Sequence, residues 1–387
     1  MFSAFYEAFI SEIKSIKASW YKLFLLTVLP LLSFTLIIAI FHAGVARDLP
    51  LVIVDQDHSK LSRVLVQNID ASPTMHIGYR ANSVKEALHL VQETKAYGLV
   101  VIPKYFEKNT LLHKSPTITA MLNTQYILIG KILTSALSRT VMYSDGTVEY
   151  LQLLVEEQNP GAAKHAMAPI HMQVTPFFNT YQSYFYFLVS ALLPAIWQIF
   201  IVIATLVSVG VMFKARKERL FFQGTEHVAV KLLGLMLPYT IAFMLLGMGS
   251  VMYLYSMWEF QGSFTVLFLG MFLTVVGYQC IALLLFSTGF DYARSLSLGA
   301  VYTAPAFAFL GITFPAYSMT GFALFWRDML PVSHYTQLQL SQANYGLDIW
   351  QEFDKLATLG AFWLLFIPVV FLFKKRLLKK EIAKDMS

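Results

Sequence analysis

The sequence predicts a polytopic α-helical membrane protein, with six transmembrane helices, both termini inside, and an extracytoplasmic α/β domain inserted between the first two spans. Three observations predict it. The chain is 57% hydrophobic and only 13% charged, where a soluble domain averages about 25% charged. Tyr186 to Phe213 carries no charge and stops abruptly at Lys214, Arg216, Lys217 and Arg219. About 20 apolar residues cross a hydrocarbon core, and basic residues gather at the cytoplasmic end. Between residues 47 and 183 the texture changes to short apolar runs separated by polar breaks, as in a water-facing domain. The formal charge of +6 sits largely at span ends, where topology explains it, so it is no nucleic-acid footprint. Cys280 is the single cysteine, so the α/β domain must hold together without a disulfide.

Residues 1–22 carry Phe2, Phe5, Phe9, Ile13, Ile16 and Trp20 at helical spacing, with Glu7, Glu12, Lys14 and Lys17 elsewhere. This reads as an amphipathic helix lying in the membrane interface. Residues 23–46 hold the first span, Leu23 to Phe41. Gly44-Val45-Ala46 would suit signal cleavage, but the apolar run exceeds a signal peptide's and its polar arm is long, so a retained anchor is expected. In the domain at 47–183, Leu49–Val54, Met75–Tyr79, Gly98–Ile102 and Ile118–Leu122 read as strands. His58–Ile69 and Val84–Thr94 have helical periodicity between them, and Ser83 with Glu86 forms a capping-box signature. Alternating strands and helices imply a sheet that is at least partly parallel. A longer helical region follows from Tyr126 to about Glu157, ended by Asn159-Pro160-Gly161.

Residues 184–373 form the rest of the membrane bundle. After Tyr186–Phe213 come spans at Leu232–Met257, Phe264–Phe290, Leu296–Phe314 and Leu356–Phe373. The loop at 214–231 is the main cytoplasmic connection. The stretch 315–350 is apolar but interrupted by Pro315, Gly321, Arg327, Asp328, Pro331 and Gly346, so it reads as a re-entrant outer hairpin of short helices. Residues 374–387 are a basic cytoplasmic tail. The 12 basic residues of the large domain carry no topological weight, because long domains translocate regardless of charge. No internal repeat is visible, which argues against an inverted-repeat carrier.

Few residues invite chemistry. There is no GxxxxGK[ST], so the chain cannot bind ATP by a Walker loop, and no HExxH. His165 and His171 read as loop residues rather than metal ligands. Asp55, Asp57 and Ser59 resemble the start of a calcium loop, but the required glycine and distal glutamate are missing, and a capped strand-end turn is expected. No metal and no cofactor is expected in this chain. The six spans contain no Asp, Glu, Lys or Arg, which argues against ion-coupled transport and places the driving energy elsewhere. Gln198, Gln279, Tyr302 and Thr303 are the polar pathway candidates, each more commonly helix–helix glue. A path lined by such groups, aromatics and methionines would suit an amphipathic or lipid-like cargo.

The order of elements resembles the permease subunit of ABC-2-type exporters, in the subgroup with a large extracytoplasmic domain between the first two spans. Local matches run along the chain. Val54-Asp55-Gln56-Asp57-His58-Ser59 with Leu61-Ser62-Arg63 is similar to the opening of that family's outer domain. Val100-Val101-Ile102-Pro103 with Phe106 resembles its strand exit, and Phe178-Asn179 its pre-span segment, with Thr180 where proline is usual. Lys217-Glu218-Arg219, Gly224-Thr225-Glu226, Lys231 and Pro238-Tyr239 resemble its cytoplasmic signature, shortened here to His227–Val230 before the lysine. Leu330-Pro331-Val332-Ser333-His334-Tyr335 resembles its re-entrant segment.

The resemblance implies an export pathway formed by two permeases, identical or paired, in a bacterial inner membrane and driven by cytoplasmic ATPase subunits. Lys217, Glu218, Arg219, Gly224, Thr225, Glu226 and Lys231 would couple to the ATPases. Pro315, Pro331, His334 and Tyr335 would shape the re-entrant segment. Charge reversal at Glu218 should uncouple the ATPase while leaving the fold intact. A periplasmic adaptor and membrane lipid are further expected partners; nucleic acid is not. The alternative is a membrane-anchored receptor or envelope docking protein that binds a partner without transport, although six spans are more membrane than an anchor needs. An intramembrane enzyme would need a catalytic constellation that the spans lack.

Overall fold

The computed structural model describes residues 1–112, 114, 116–157, 179, 183–256 and 260–385. They fall into two compact units, Met1–Gly44 with Phe178–Ser387, and Val45–Phe177. His165, His171 and the Asn159-Pro160-Gly161 break lie outside the described residues.

The second unit is built on a four-stranded sheet in the order β2-β1-β3-β4. Strands β1 (Leu49–Asp55), β2 (Met75–Arg80) and β3 (Gly98–Ile102) run parallel, and β4 (Thr119–Leu122) pairs antiparallel with β3. Leu51 to Val54 are all buried, the continuous apolar run of a central strand covered on both faces. Helix α3 (Lys60–Asp70) starts where the Ser59 hydroxyl accepts the Ser62 N–H at 3.1 Å, and α4 (Val84–Gln92) where Ser83 accepts the Glu86 N–H at 3.2 Å. Glu86 reaches back to the Asn82 N–H rather than to its own cap, at 3.0 Å.

The aspartates that resemble a calcium loop have other work. Asp55 Oδ1 accepts the N–H groups of Asp57 (3.0 Å) and His58 (3.1 Å), and its Oδ2 accepts the Ser62 hydroxyl (2.8 Å). Of Asp57 and Ser59, the two residues expected to cap the next helix, Ser59 does so, while Asp57 caps α5 (Phe106–Leu111) by accepting the Glu107 N–H at 3.0 Å. Partial burial pushes the Asp57 carboxyl up, but hydrogen bonds from Glu107, Ser59, Phe106 and Tyr105 outweigh it and hold it below its ordinary value. A depressed carboxylate contributes stability that is complete above the unfolded pKa, about 3.9, and lost as pH falls through the folded value. Asp57→Asn should therefore lower protease resistance of this unit modestly at pH 7 and flatten its loss on acidification. Limited proteolysis of the full chain across pH measures both. Helix α6 (Ile127–Glu157) completes the described part of the unit.

Among the described residues of the first unit, five helices are long and apolar enough to cross a membrane: α2 (Trp20–Phe41), α7 (Phe185–Lys214), α9 (Val228–Tyr255), α10 (Phe264–Ser287) and α15 (Phe353–Lys379). Before them lies α1 (Phe2–Ala18). It ends earlier than the expected 1–22 boundary because Ser19 takes an extended conformation, so α2 begins at Trp20 and includes Lys22. The expected span at Leu296–Phe314 is not one helix. Asp291 accepts the Arg294 N–H at 2.7 Å and starts α11 (Tyr292–Thr303) early; Pro305, which has no N–H to donate, separates it from the single turn α12 (Ala306–Phe309).

Residues 315–350 do form short helices, α13 (Gly321–Asp328) and α14 (Pro331–Tyr345), with Pro331 at the first turn of α14. Helices α7 and α10 are the centre of the bundle, 67% and 72% buried over their apolar windows, against 17% for α2 and 22% for α15. Helix α14 packs on both central helices. The chain leaves this unit and returns to it at one place, where the Tyr184 N–H donates to the Gly44 carbonyl at 2.5 Å.

Candidate functional site

The basic end of the bundle is assembled from α1 and the connection between α7 and α9. Helix α1 buries Ala4, Ala8, Glu12 and Ile16, spaced by four, along α9. The large apolar residues read as lying in the membrane interface stay mostly outside this contact, Phe2 and Trp20 being 82% and 78% exposed, while the stripe that meets α9 contains the small Ala4 and Ala8. Small residues let the two backbones approach. A Cβ added at Gly234 of α9 would lie 2.5 Å from the Phe5 carbonyl oxygen and 3.0 Å from the Ala8 Cβ.

Glu12 occupies the same stripe. Its Oε1 accepts from Lys22 Nζ at 2.8 Å, the Ser208 hydroxyl of α7 at 3.0 Å and the Tyr239 hydroxyl of α9 at 2.6 Å. Lys22 also donates to the Ser15 hydroxyl at 2.8 Å. The residue is 5% exposed, so the carboxylate is desolvated and held through three hydrogen bonds to Oε1. Reading each span alone missed this group, because the charge is supplied from outside the spans. The signal was Glu12 standing in register with Ala4 and Ala8.

The connection folds as a compact bend. After α7, Arg216 takes a positive φ, and α8 (Glu218–Phe222) sends Phe222 into the core, its ring 6.0 Å from Phe373. Gln223 and Gly224 then turn the chain with φ of 50° and 101°. Gly224 suits a backbone conformation that side chains disfavour. Lys231 Nζ donates to the Phe221 carbonyl at 2.7 Å and lies 3.8 Å from Glu7 of α1; the Gln223 amide donates to the same carboxylate at 3.2 Å. Glu7 thus ties α1 to the bend. Between them lies a cleft of about 610 Å³, whose walls include Glu12, Lys22, Lys217 and Lys231.

Of the expected coupling residues, Lys217, Arg219 and Glu226 are exposed, Gly224 and Thr225 half-buried, and Glu218 and Lys231 buried. Glu218 is 2% exposed, so charge reversal there would strain the bend itself. The expected separation of coupling from folding does not hold at that position. Leu220, 77% exposed beside Arg219, adds an apolar side chain to this surface.

The pathway candidates are committed to hydrogen bonds within the bundle. Gln198 is fully buried; its amide donates to the Thr303 carbonyl at 3.3 Å and its oxygen accepts the Tyr278 hydroxyl. Tyr278 in turn accepts the Val332 N–H of α14 at 3.0 Å. Gln279 bonds the Thr240 hydroxyl at 2.9 Å and the Met236 carbonyl at 3.2 Å. Thr303 turns its hydroxyl to the Gly299 carbonyl at 2.9 Å, and Tyr302 donates to the Met329 carbonyl. In the 315–350 segment, Pro315 precedes a short 3₁₀ turn, His334 bonds the Asp328 carbonyl at 3.1 Å, and buried Tyr335 packs 5.7 Å from Trp197. Glu352, also buried, links α14 to the start of α15 through Ser341 and Lys355. Among the described residues, no group of three or more His, Cys, Asp or Glu side chains is placed to hold a metal ion.

No curated protein matches the chain significantly. The family described as ABC-2 family transporter protein matches residues 20–373, and the chain therefore belongs to that family, as a multi-pass membrane permease subunit of an ABC transporter.

Proposed function

We propose that the chain is one of two permeases, identical or paralogous, that form the pathway of an exporter in a bacterial inner membrane. Separate cytoplasmic ATPase subunits drive it, and the chain itself carries no cofactor. On this reading the basic end is cytoplasmic, both termini lie inside, and residues 292–318 make a sixth, broken crossing. The hairpin 315–350 is re-entrant from the outside, and the α/β unit is extracytoplasmic, where it meets cargo or a periplasmic adaptor. Membrane lipid covers the exposed apolar faces of α2 and α15.

The observation that carries this reading is the Glu7 tie. It gathers α1 and the 214–231 bend into one charged surface, with Lys217, Arg219, Leu220 and Glu226 outermost. A surface of exposed charges around one apolar side chain is the kind a docking partner uses. Affinity purification of the full chain from its native membrane should recover an ATPase subunit. Arg219→Glu with Leu220→Asp should reduce that recovery about tenfold, the factor that 1.4 kcal/mol carries, with an unchanged melting profile in detergent. A stable wild-type chain that recovers no ATPase would instead favour the docking receptor.

A further inference from the structure

The break at Ser19 poses a mechanical question. Helix α1 does not continue as one helix into α2, so a push on α1 cannot travel up the first span as through a rod. It has to pass sideways. Ala4 and Ala8 rest on α9, whereas α7, the buried centre of the bundle, is met through the Ser208 hydroxyl. One carboxylate reaches both. Glu12 Oε1 takes Ser208 from α7, Tyr239 from α9 and Lys22 from α2 within 3.0 Å. Stability alone is a weak reason to bury such a group, because well-packed apolar residues hold helices together equally well. A carboxylate that accepts donors from three helices fixes their relative positions by direction as well as by contact.

We infer that Glu12 is the joint through which α1 moves α7 and α9, with Ser208 and Tyr239 as its two seats on the spans. The inference rests on the reading that an ATPase acts on α1 and the 214–231 bend. Glu12 is here a positioning residue, since it touches neither ATP nor cargo. Displacement of α1 carries the carboxylate with it, and the two hydroxyls transmit that displacement to helices at the centre of the bundle. Lys22 keeps the charge neutral throughout.

The test uses the full chain with its copurified ATPase in lipid nanodiscs, spin-labelled at Leu36→Cys on α2 and Leu245→Cys on α9, with Cys280→Ala to remove the native thiol. ATP with vanadate should shift the interspin distance in the wild-type background. Glu12→Ala should keep the ATPase bound and hydrolysing while retaining less than a third of that shift. Glu12→Gln, which can still accept both hydroxyls, should restore most of it. Tyr239→Phe with Ser208→Ala should match Glu12→Ala, and Ile16→Ala, a packing loss on the same helix, should leave the shift intact. A wild-type shift in Glu12→Ala overturns the joint. So does loss of ATPase binding in that variant, which would make Glu12 part of the docking surface only. A wild-type chain that recovers no ATPase overturns the functional reading, and this inference with it.

Discussion

Gly234→Ala is expected to detach α1 from α9, although it adds a single methyl group. That methyl would sit 2.5 Å from the Phe5 carbonyl oxygen, and a backbone atom cannot move aside as a flexible side chain can. Overpacking of this kind costs about 1–3 kcal/mol. Here the cost falls on the contact that positions Glu7 and Glu12. The variant should melt earlier in detergent and recover at least about tenfold less ATPase, since 1.4 kcal/mol is a factor of ten. The same change at Gly249 of the same helix meets no atom within 4 Å. With no clash to offset it, the gain in helix propensity there, up to about 1 kcal/mol, should stabilise the helix. Opposite signs for one chemical change on one helix are the expected result. Equal melting midpoints for the two variants would refute the tight α1–α9 contact.

The second large effect is expected at Tyr278→Phe. Removal of this hydroxyl leaves the Gln198 side-chain oxygen without its donor and the Val332 N–H without its acceptor, both deep in the bundle. An interhelical hydrogen bond in a bilayer averages about 0.6 kcal/mol. Leaving a buried group unsatisfied costs about 1–3 kcal/mol, and here both sides are stranded. The first turn of α14 should loosen against α7 and α10. Thermal melting should show a larger loss for Tyr278→Phe than for Thr240→Val, which removes one donor from Gln279. Combined with Gln198→Leu the loss should be less than additive, because the two residues share one network. Additive losses would show that the hydroxyl acts alone.

Much of the architecture was legible in single stretches of sequence. Uninterrupted apolar runs bounded at one end by lysine mark four of the long helices on length alone. Ser59 and Ser83 announce helix starts because a side-chain oxygen can satisfy an N–H that the first turn leaves open. The misread parts depend either on local hydrogen bonding or on partners distant in sequence. Leu296–Phe314 is apolar enough for a span, but Asp291 and Pro305 set its ends by local hydrogen bonding, which hydropathy does not register. On α1 the apolar periodicity was legible, but the stripe that meets protein was not. The large apolar residues were read as facing the membrane interface, and Phe2 and Trp20 are exposed, whereas the close approach that needs Ala4 and Ala8 is set by Gly234, more than 200 residues away.

The candidate site was legible in position but not in detail. The 214–231 segment stands out by its charge, whereas which of its charges are buried depends on Phe222 and on Glu7 more than 200 residues away. Glu218 and Arg219 are adjacent in sequence and opposite in exposure. Gln198 and Gln279 looked equivalent to pathway residues until their partners were known. Polarity within a span does not distinguish a group that greets cargo from one already bound to the next helix.

The bond between Tyr184 and Gly44 has a wider consequence. Because the chain departs at Gly44 and returns at Tyr184 and the two are hydrogen-bonded, the ends of everything between them are held side by side. The entropy of holding such ends together grows only slowly with the length between them, and insertions are tolerated where their ends lie close together. Evolution can therefore lengthen, exchange or shed the α/β unit without re-registering a single helix of the bundle. The engine and its accessory are free to diversify at different rates.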